Sequence, residues 1–156
     1  MNFYQKSRLR NKNLYVLLYL NKEVYLMISK LSKNQILVLK LLENHKKPLS
    51  AYKILDSLRE HGFNAPLQVY RALNLLIKIN KVHKIDSMNA YVACNNNECG
   101  NPDFIAFTIC DECENVSEIK DELISSSLSR IKKKSGFRAV RSSIELHGLC
   151  KECINL

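Results

Sequence analysis

The sequence predicts an α+β chain in two parts, on three observations. Residues 32–78 carry three helical signals in a row, residues 82–93 hold two β-rich stretches across a polar turn, and residues 104–147 hold short strands around one amphipathic helix. The charge divides near the same place. Residues 1–86 contain 16 Lys and Arg against 5 Asp and Glu, a balance of +11, whereas residues 87–156 contain 8 against 10, a balance of −2. All six cysteines fall in the second part. A length of 156 residues suits one medium domain or two small ones. The 46% hydrophobic content is too high for a disordered chain. The longest apolar run, Leu14 to Leu20, is far short of the roughly 20 residues that span a bilayer, so no membrane partner is expected.

The elements follow in order. Residues 1–30 are an N-terminal extension or an extra helix, and Met27, just before the first clear helix signal, leaves an upstream start open. The basic start and its apolar stretch are followed by Asn21-Lys22-Glu23 where small cleavage-site residues should stand. A cytoplasmic location is expected, and with it metal ligation rather than disulfide pairing. Ser32-Lys-Asn-Gln35 fits a capping box, and Ile36, Leu37, Leu39, Leu41 and Leu42 form an apolar stripe ending near Asn44. Ser50 caps a second helix with Ile54, Leu55 and Leu58 on its apolar face and Gly62 as a left-handed stop. Asn64 is the expected cap of a third helix, with Pro66 in its first turn and Val69, Ala72, Leu73, Leu76 and Ile77 on the buried side. Val82–Ile85 and Ala90–Ala93 make a hairpin. Three helices followed by a hairpin are the order of a winged helix-turn-helix, whose third helix enters the major groove of double-stranded DNA.

After a loop at residues 95–103, Phe104–Ile109 reads as a strand and Val116 starts another. Glu118 to about Ser135 reads as a helix with Ile119, Leu123, Ile124, Leu128 and Ile131 on one face and Gly136 as its stop. Phe137–Val140 and Ser142–His147 read as two further strands. Some 60 residues of this kind bury too little to stand alone, so metal, dimerisation or both should complete the core. The expected organisation is a winged-helix DNA-binding domain at 31–94 and a small α/β dimerisation and zinc-binding domain at 95–156.

Two constellations carry chemistry. Cys110-Asp-Glu-Cys113 and Cys150-Lys-Glu-Cys153 supply four thiolates, which close a tetrahedron around a structural zinc and leave no position for substrate. Neither pair sits in the strand–helix pattern of a thioredoxin-like redox motif. A more open set lies at the junction of the halves: His83 and Cys94 flank the hairpin, Asp103 precedes Phe104, and Glu118 follows the first cysteine pair. Mixed imidazole, thiolate and carboxylate donors suit zinc better than magnesium or calcium. On the third helix the polar face offers Gln68, Tyr70, Arg71, Asn74 and Lys78. Arg grips guanine in a bidentate way, and a Tyr ring packs on a thymine methyl.

From about Leu31 to Cys153 the chain resembles the ferric uptake regulator (Fur) family, and within it the zinc uptake regulator (Zur) branch. The similar stretches are Leu49 to Leu55, Pro66 to Leu73, Val82 to Cys94, Phe107 to Cys113 and Ile144 to Cys153. The resemblance implies a dimeric bacterial repressor of palindromic operator DNA, with one structural zinc on Cys110, Cys113, Cys150 and Cys153. It implies DNA contact by Tyr52, Tyr70 and Arg71, and a regulatory zinc, acting as corepressor, on His83, Cys94 and Glu118. The fourth regulatory ligand of that branch is normally a histidine; here its position falls on Asp103, with Cys99 and Glu98 nearby. His147 matches a family position as well and is read as support for the strand and the ligands around it. Two other readings are an iron- or peroxide-responsive repressor of the same family, which Cys94 argues against, and a zinc-stabilised nucleic-acid-binding adaptor without sensing. No nucleophile–base pairing and no phosphate-binding glycine motif is present, so neither an enzyme nor a small-molecule substrate is expected.

Overall fold

The computed structural model describes residues 31–94, 104–139 and 141–154. In chain order these contain α1 (Lys33–Asn44), β1 (Leu49–Ser50), α2 (Ala51–Ser57), a 3₁₀ turn (Arg59–His61), α3 (Pro66–Lys78), β2 (Val82–Ile85), β3 (Ala90–Ala93), β4 (Ile105–Cys110), β5 (Val116–Ile119), α4 (Glu122–Ser135) and β6 (Ser143–Gly148). The expected N-terminal helix or extension at 1–30 lies outside the described residues.

Local chemistry sets the helix ends. Ser32 Oγ accepts from the Gln35 amide at 3.4 Å while Gln35 Oε1 accepts from the Ser32 amide at 2.8 Å, the reciprocal capping box that the sequence predicts. Ser50 Oγ accepts from the Lys53 amide at 3.2 Å and starts α2. This α-helix does not run on to Gly62 as expected. The Leu58 amide is shared between the carbonyls of Ile54 and Leu55, both at 3.1 Å, and the chain tightens into the 3₁₀ turn, which Gly62 ends at φ 94°. The tightening turns Leu58 and Phe63 into the core. The cap of α3 is Ala65 and not Asn64. Alanine has no acceptor to offer, so Gln68 Oε1 takes both amides, at 2.7 Å from Asn64 and 3.0 Å from Ala65.

The first three helices enclose one apolar cluster with Val38, Ile54, Phe63, Val69, Leu73, Leu76 and Val82 at its centre. The β2–β3 hairpin closes it, with β3 also paired to the two-residue β1 in the order β1-β3-β2. That arrangement is a winged helix-turn-helix.

The second sheet has the order β5-β4-β6, with β4 and β5 antiparallel and β4 and β6 parallel. Parallel neighbours need a crossover, which α4 supplies. The helix begins at Glu122 and not at the expected Glu118, because Asp121 Oδ1 accepts from the Ile124 amide at 2.9 Å and caps it there. Glu118 and Ile119 belong instead to β5, opposite Phe107 and Ala106. Gly136 ends α4 at φ 66° as predicted, but Phe137–Ala139 form no strand and Val140 lies outside the described residues. The Phe137 amide turns back onto Ser135 Oγ at 3.3 Å, and the open edge of β4 is taken by β6.

None of the α4 side chains with described burial is buried: Leu123 is 76% exposed and Ile131 58%. A smaller apolar cluster joins the two sheets, with Ile85, Met88 and Val92 from the hairpin against Ile105, Phe107, Ile109 and Val116. Among the described residues no helix is long and apolar enough to cross a membrane.

Leu73 has no exposed surface, so Leu73→Ala is expected to lower unfolding stability by about 2–5 kcal/mol. Leu67, 56% exposed on the same helix, should cost under about 0.5 kcal/mol when truncated. Urea unfolding of the two variants checks the contrast.

Candidate metal centres and nucleic-acid interface

The parallel pairing of β4 and β6 brings the two C-x-x-C turns side by side. Cys110 ends β4 opposite Gly148, and the Asp111 amide donates to the Gly148 carbonyl at 2.8 Å. Each pair then folds into a tight turn, with the Glu114 amide on the Cys110 carbonyl and the Cys153 amide on the Cys150 carbonyl. The four sulfurs lie within 4.8 Å of one another, and Cys113 Sγ is 3.8 Å from Cys150 Sγ. Zinc–sulfur bonds of about 2.3 Å place the corners of a tetrahedron roughly 3.8 Å apart, so the thiols fit that ion.

Their acidity is split. The Cys113 and Cys150 amides donate to Cys110 Sγ and draw its thiol down to about 6. Cys153 is driven up, foremost by its hydrogen bond with the Cys150 sulfur. Sulfurs this close cannot all be charged without a cation among them. Beside the cluster, His147 Nδ1 lies 2.9 Å from Asp111 Oδ1, which holds β6 to the first turn.

A second set comes from three strands. His83 lies in β2, Cys94 directly follows β3, and Glu118 lies in β5; their ligand atoms also fall within 4.8 Å of one another. All three residues are half-buried. Against the expectation from the sequence, Cys94 is disulfide-bonded in this structure, so its sulfur becomes a metal ligand only when that bond is reduced. Burial holds the His83 imidazole below its ordinary pKa, with the Glu118 charge opposing in part, and so favours the neutral form that binds metals. The His83 ring tilts against Phe107 at a centroid distance of 5.8 Å. His83 and Glu118 open onto a cleft of about 540 Å³ between the hairpin and the second sheet, with Arg141 on its wall. The structure thus brings together three of the four expected ligands. Asp103, with Glu98 and Cys99, lies outside the described residues.

On α3 the side opposite the buried stripe presents Leu67, Tyr70, Arg71 and Asn74, all exposed, and Tyr52 of α2 is 63% exposed. Gln68 is half-buried and its side-chain oxygen is committed to the cap, which leaves only its amino group to face outward. Sequence reasoning missed two residues here. Leu67 stands exposed off the buried stripe, on the side of α3 that carries Tyr70 and Arg71, which the helical spacing does show. Glu145 binds the backbone of the hairpin turn, and no spacing announces such a contact.

Comparison with known proteins bears on the family and the fold. Residues 27–147 match the ferric uptake regulator family. The zinc uptake regulation protein of Escherichia coli (strain K12) is 36% identical over 128 residues, which are 81% of this chain and 74% of that protein. The ferric uptake regulation protein of Bacillus subtilis (strain 168) is 29% identical over 114 residues, 72% of this chain and 76% of its own length. Among solved structures, a zinc uptake regulator complexed with zinc and DNA superposes with a TM-score of 0.76 at 33% identity, covering 91% of this chain and 95% of that one. The holo form of XcZur gives a TM-score of 0.74 at 37% identity, covering 81% and 87%. This chain belongs to the ferric uptake regulator family.

Proposed function

We propose that the protein is a zinc-responsive transcriptional repressor that binds palindromic operator DNA as a homodimer. The observation that carries this reading is the convergence of His83 and Cys94, from the hairpin, with Glu118, from the second sheet. Residues 31–94 serve as the DNA-binding part and 95–156 as the dimerisation part. The relatives named above support zinc as the signal, and the thiolate that Cys94 offers once reduced favours zinc over iron at a site that otherwise has hard donors. Cys110, Cys113, Cys150 and Cys153 hold a structural zinc, so each subunit carries two ions.

The chain's own residues supply the mechanism. His83 and Cys94 are rooted in the two hairpin strands, and the Cys94 amide on the Lys81 carbonyl at 2.9 Å fixes where β3 ends. Glu118 is rooted in the second sheet. His83, Cys94 and Glu118 would hold a metal ion between them, and that shared ligation would tie the hairpin, and with it α3, to the dimerisation part. The apolar side of α4, exposed at Leu123 and Ile131, is the face that a second subunit covers. With that separation fixed, two copies of α3 reach half-sites about 34–36 Å apart. Tyr52, Tyr70, Arg71 and Asn74 then face DNA, and Gln68 serves chiefly to start the helix. A coupling of about 1–3 kcal/mol between metal and DNA is enough to change affinity roughly 5- to 150-fold.

His83→Ala and Cys94→Ala test this reading. Each should retain the structural zinc yet bind operator DNA in the presence of zinc no better than the chelated parent; DNA affinity equal to that of the zinc-loaded parent contradicts sensing. Arg71→Ala should cost about 1–3 kcal/mol of DNA binding and relax selectivity at one base position, measured by titration against a set of single-base operator variants.

A further inference from the structure

We propose that Glu145 is a positioning residue, whose carboxylate clamps the hairpin turn to the second sheet and so sets His83 and Cys94 opposite Glu118. Its two oxygens accept from two successive backbone amides, Oε1 from Asp86 at 2.7 Å and Oε2 from Ser87 at 3.0 Å. These partners stand 59 and 58 residues away in sequence, in the turn that joins β2 to β3. Glu145 is only 13% exposed, whereas Asp86 is 48% exposed. Burial alone would raise the Glu145 pKa, but the hydrogen bonds from Ser87 and Asp86 outweigh it and hold the carboxyl below its usual range.

Register explains why this contact bears on the metal site. Phe107 of β4 pairs with Glu118 on one side and with Glu145 on the other. Residues paired across neighbouring strands share a face of the sheet, so Glu118, Phe107 and Glu145 form one row. The row meets the hairpin at three points: Glu118 beside His83 and Cys94, Phe107 against the His83 ring, and Glu145 on the turn amides. Two hydrogen bonds from rigid backbone to one carboxylate fix both position and angle. The neighbouring ion pairs at Asp86 do less. Lys84 reaches it at 2.8 Å but belongs to the hairpin itself, and Arg141 reaches it only at 3.7 Å with 59% of its side chain exposed. Glu145 therefore preassembles a site whose ligands come from two separately folded sheets, and lowers the ordering that metal binding must impose.

The role rests on reading His83, Cys94 and Glu118 as a metal site. The test uses the full chain and its Glu145→Gln variant, which keeps the shape but turns an amino group toward one of the turn amides. Zinc alone is titrated against a competing chelator, the tightly held zinc is counted, and amide hydrogen exchange at Asp86 and Ser87 is followed in protein carrying only the tight zinc. The expected result is a fall on the order of 10-fold in second-site zinc affinity, faster exchange of both amides, and an unchanged count of tight zinc. Glu145→Asp should recover part of the affinity. Ser87→Pro, which removes the amide and hydroxyl donors of Ser87 without touching the sheet, should reproduce the loss if Glu145→Gln fails to fold. Second-site affinity unchanged in both variants overturns the clamp. A parent chain that takes up no second zinc overturns the sensor reading instead, and the clamp is then decided by exchange, where equal rates in parent and variant overturn it.

Discussion

Ala106, Phe107, Ile109 and Cys110, all on β4, are the buried side chains of the second sheet among the described residues. Four side chains cannot hold three strands and a 14-residue helix against the entropy of the chain. The constraint that stands in for a core is the group of four thiols at one end of the β4–β6 pair. It brings together turns 37 residues apart at a sulfur–sulfur distance of 3.8 Å, and a zinc ion on the four sulfurs would hold the parallel register of the pair. The amides of Cys113 and Cys150 favour the thiolate form of Cys110, the form that a metal ligand needs.

From that register the rest follows. Strand β4 carries Cys110 at its end and Phe107 near its middle, so fixing the end of the strand also fixes the row of Glu118, Phe107 and Glu145. The winged helix is self-sufficient by contrast, with a core of sixteen buried residues that extends from Val38 to Ala93. A winged helix with its own core thus rests against a sheet with few buried side chains, and the two touch through a small apolar cluster, a half-buried carboxylate and the group of His83, Cys94 and Glu118. Contacts that few and that specific suit a junction that a single ion can stiffen.

Much of the fold was legible because it is local. Ser32, Ser50, Gly62 and Gly136 mark helix ends by their own chemistry, and the buried faces of α2 and α3 repeat at helical spacing; in α1 the core is met by Val38 and Leu42, whereas Ile36 of the expected stripe is exposed. The failures are contests that local pattern cannot decide. Asn64 resembles a cap, but Gln68 reaches back and moves the cap to Ala65. Glu118 and Ile119 fit the helical stripe of α4, yet pairing with β4 claims them for β5. Phe137–Ala139 have the composition of a strand, but the Phe137 amide turns back onto Ser135 and β6 takes the place beside β4. The four cysteines were readable from spacing alone. His83, Cys94 and Glu118 come from three strands and stood out chiefly through family resemblance, while Glu145 acts on backbone amides that leave no trace in side-chain pattern.

The central claim is that zinc at the junction, and not merely zinc in the protein, controls DNA binding. The most direct measurement is the zinc content of the full chain purified at neutral pH, before and after mild chelation, with the affinity of each sample for a duplex that the protein itself selects from random-sequence DNA. Two zinc ions per chain falling to one, with DNA affinity falling roughly 5- to 150-fold, is the predicted result. One zinc per chain in both samples with equal DNA affinity would contradict the account.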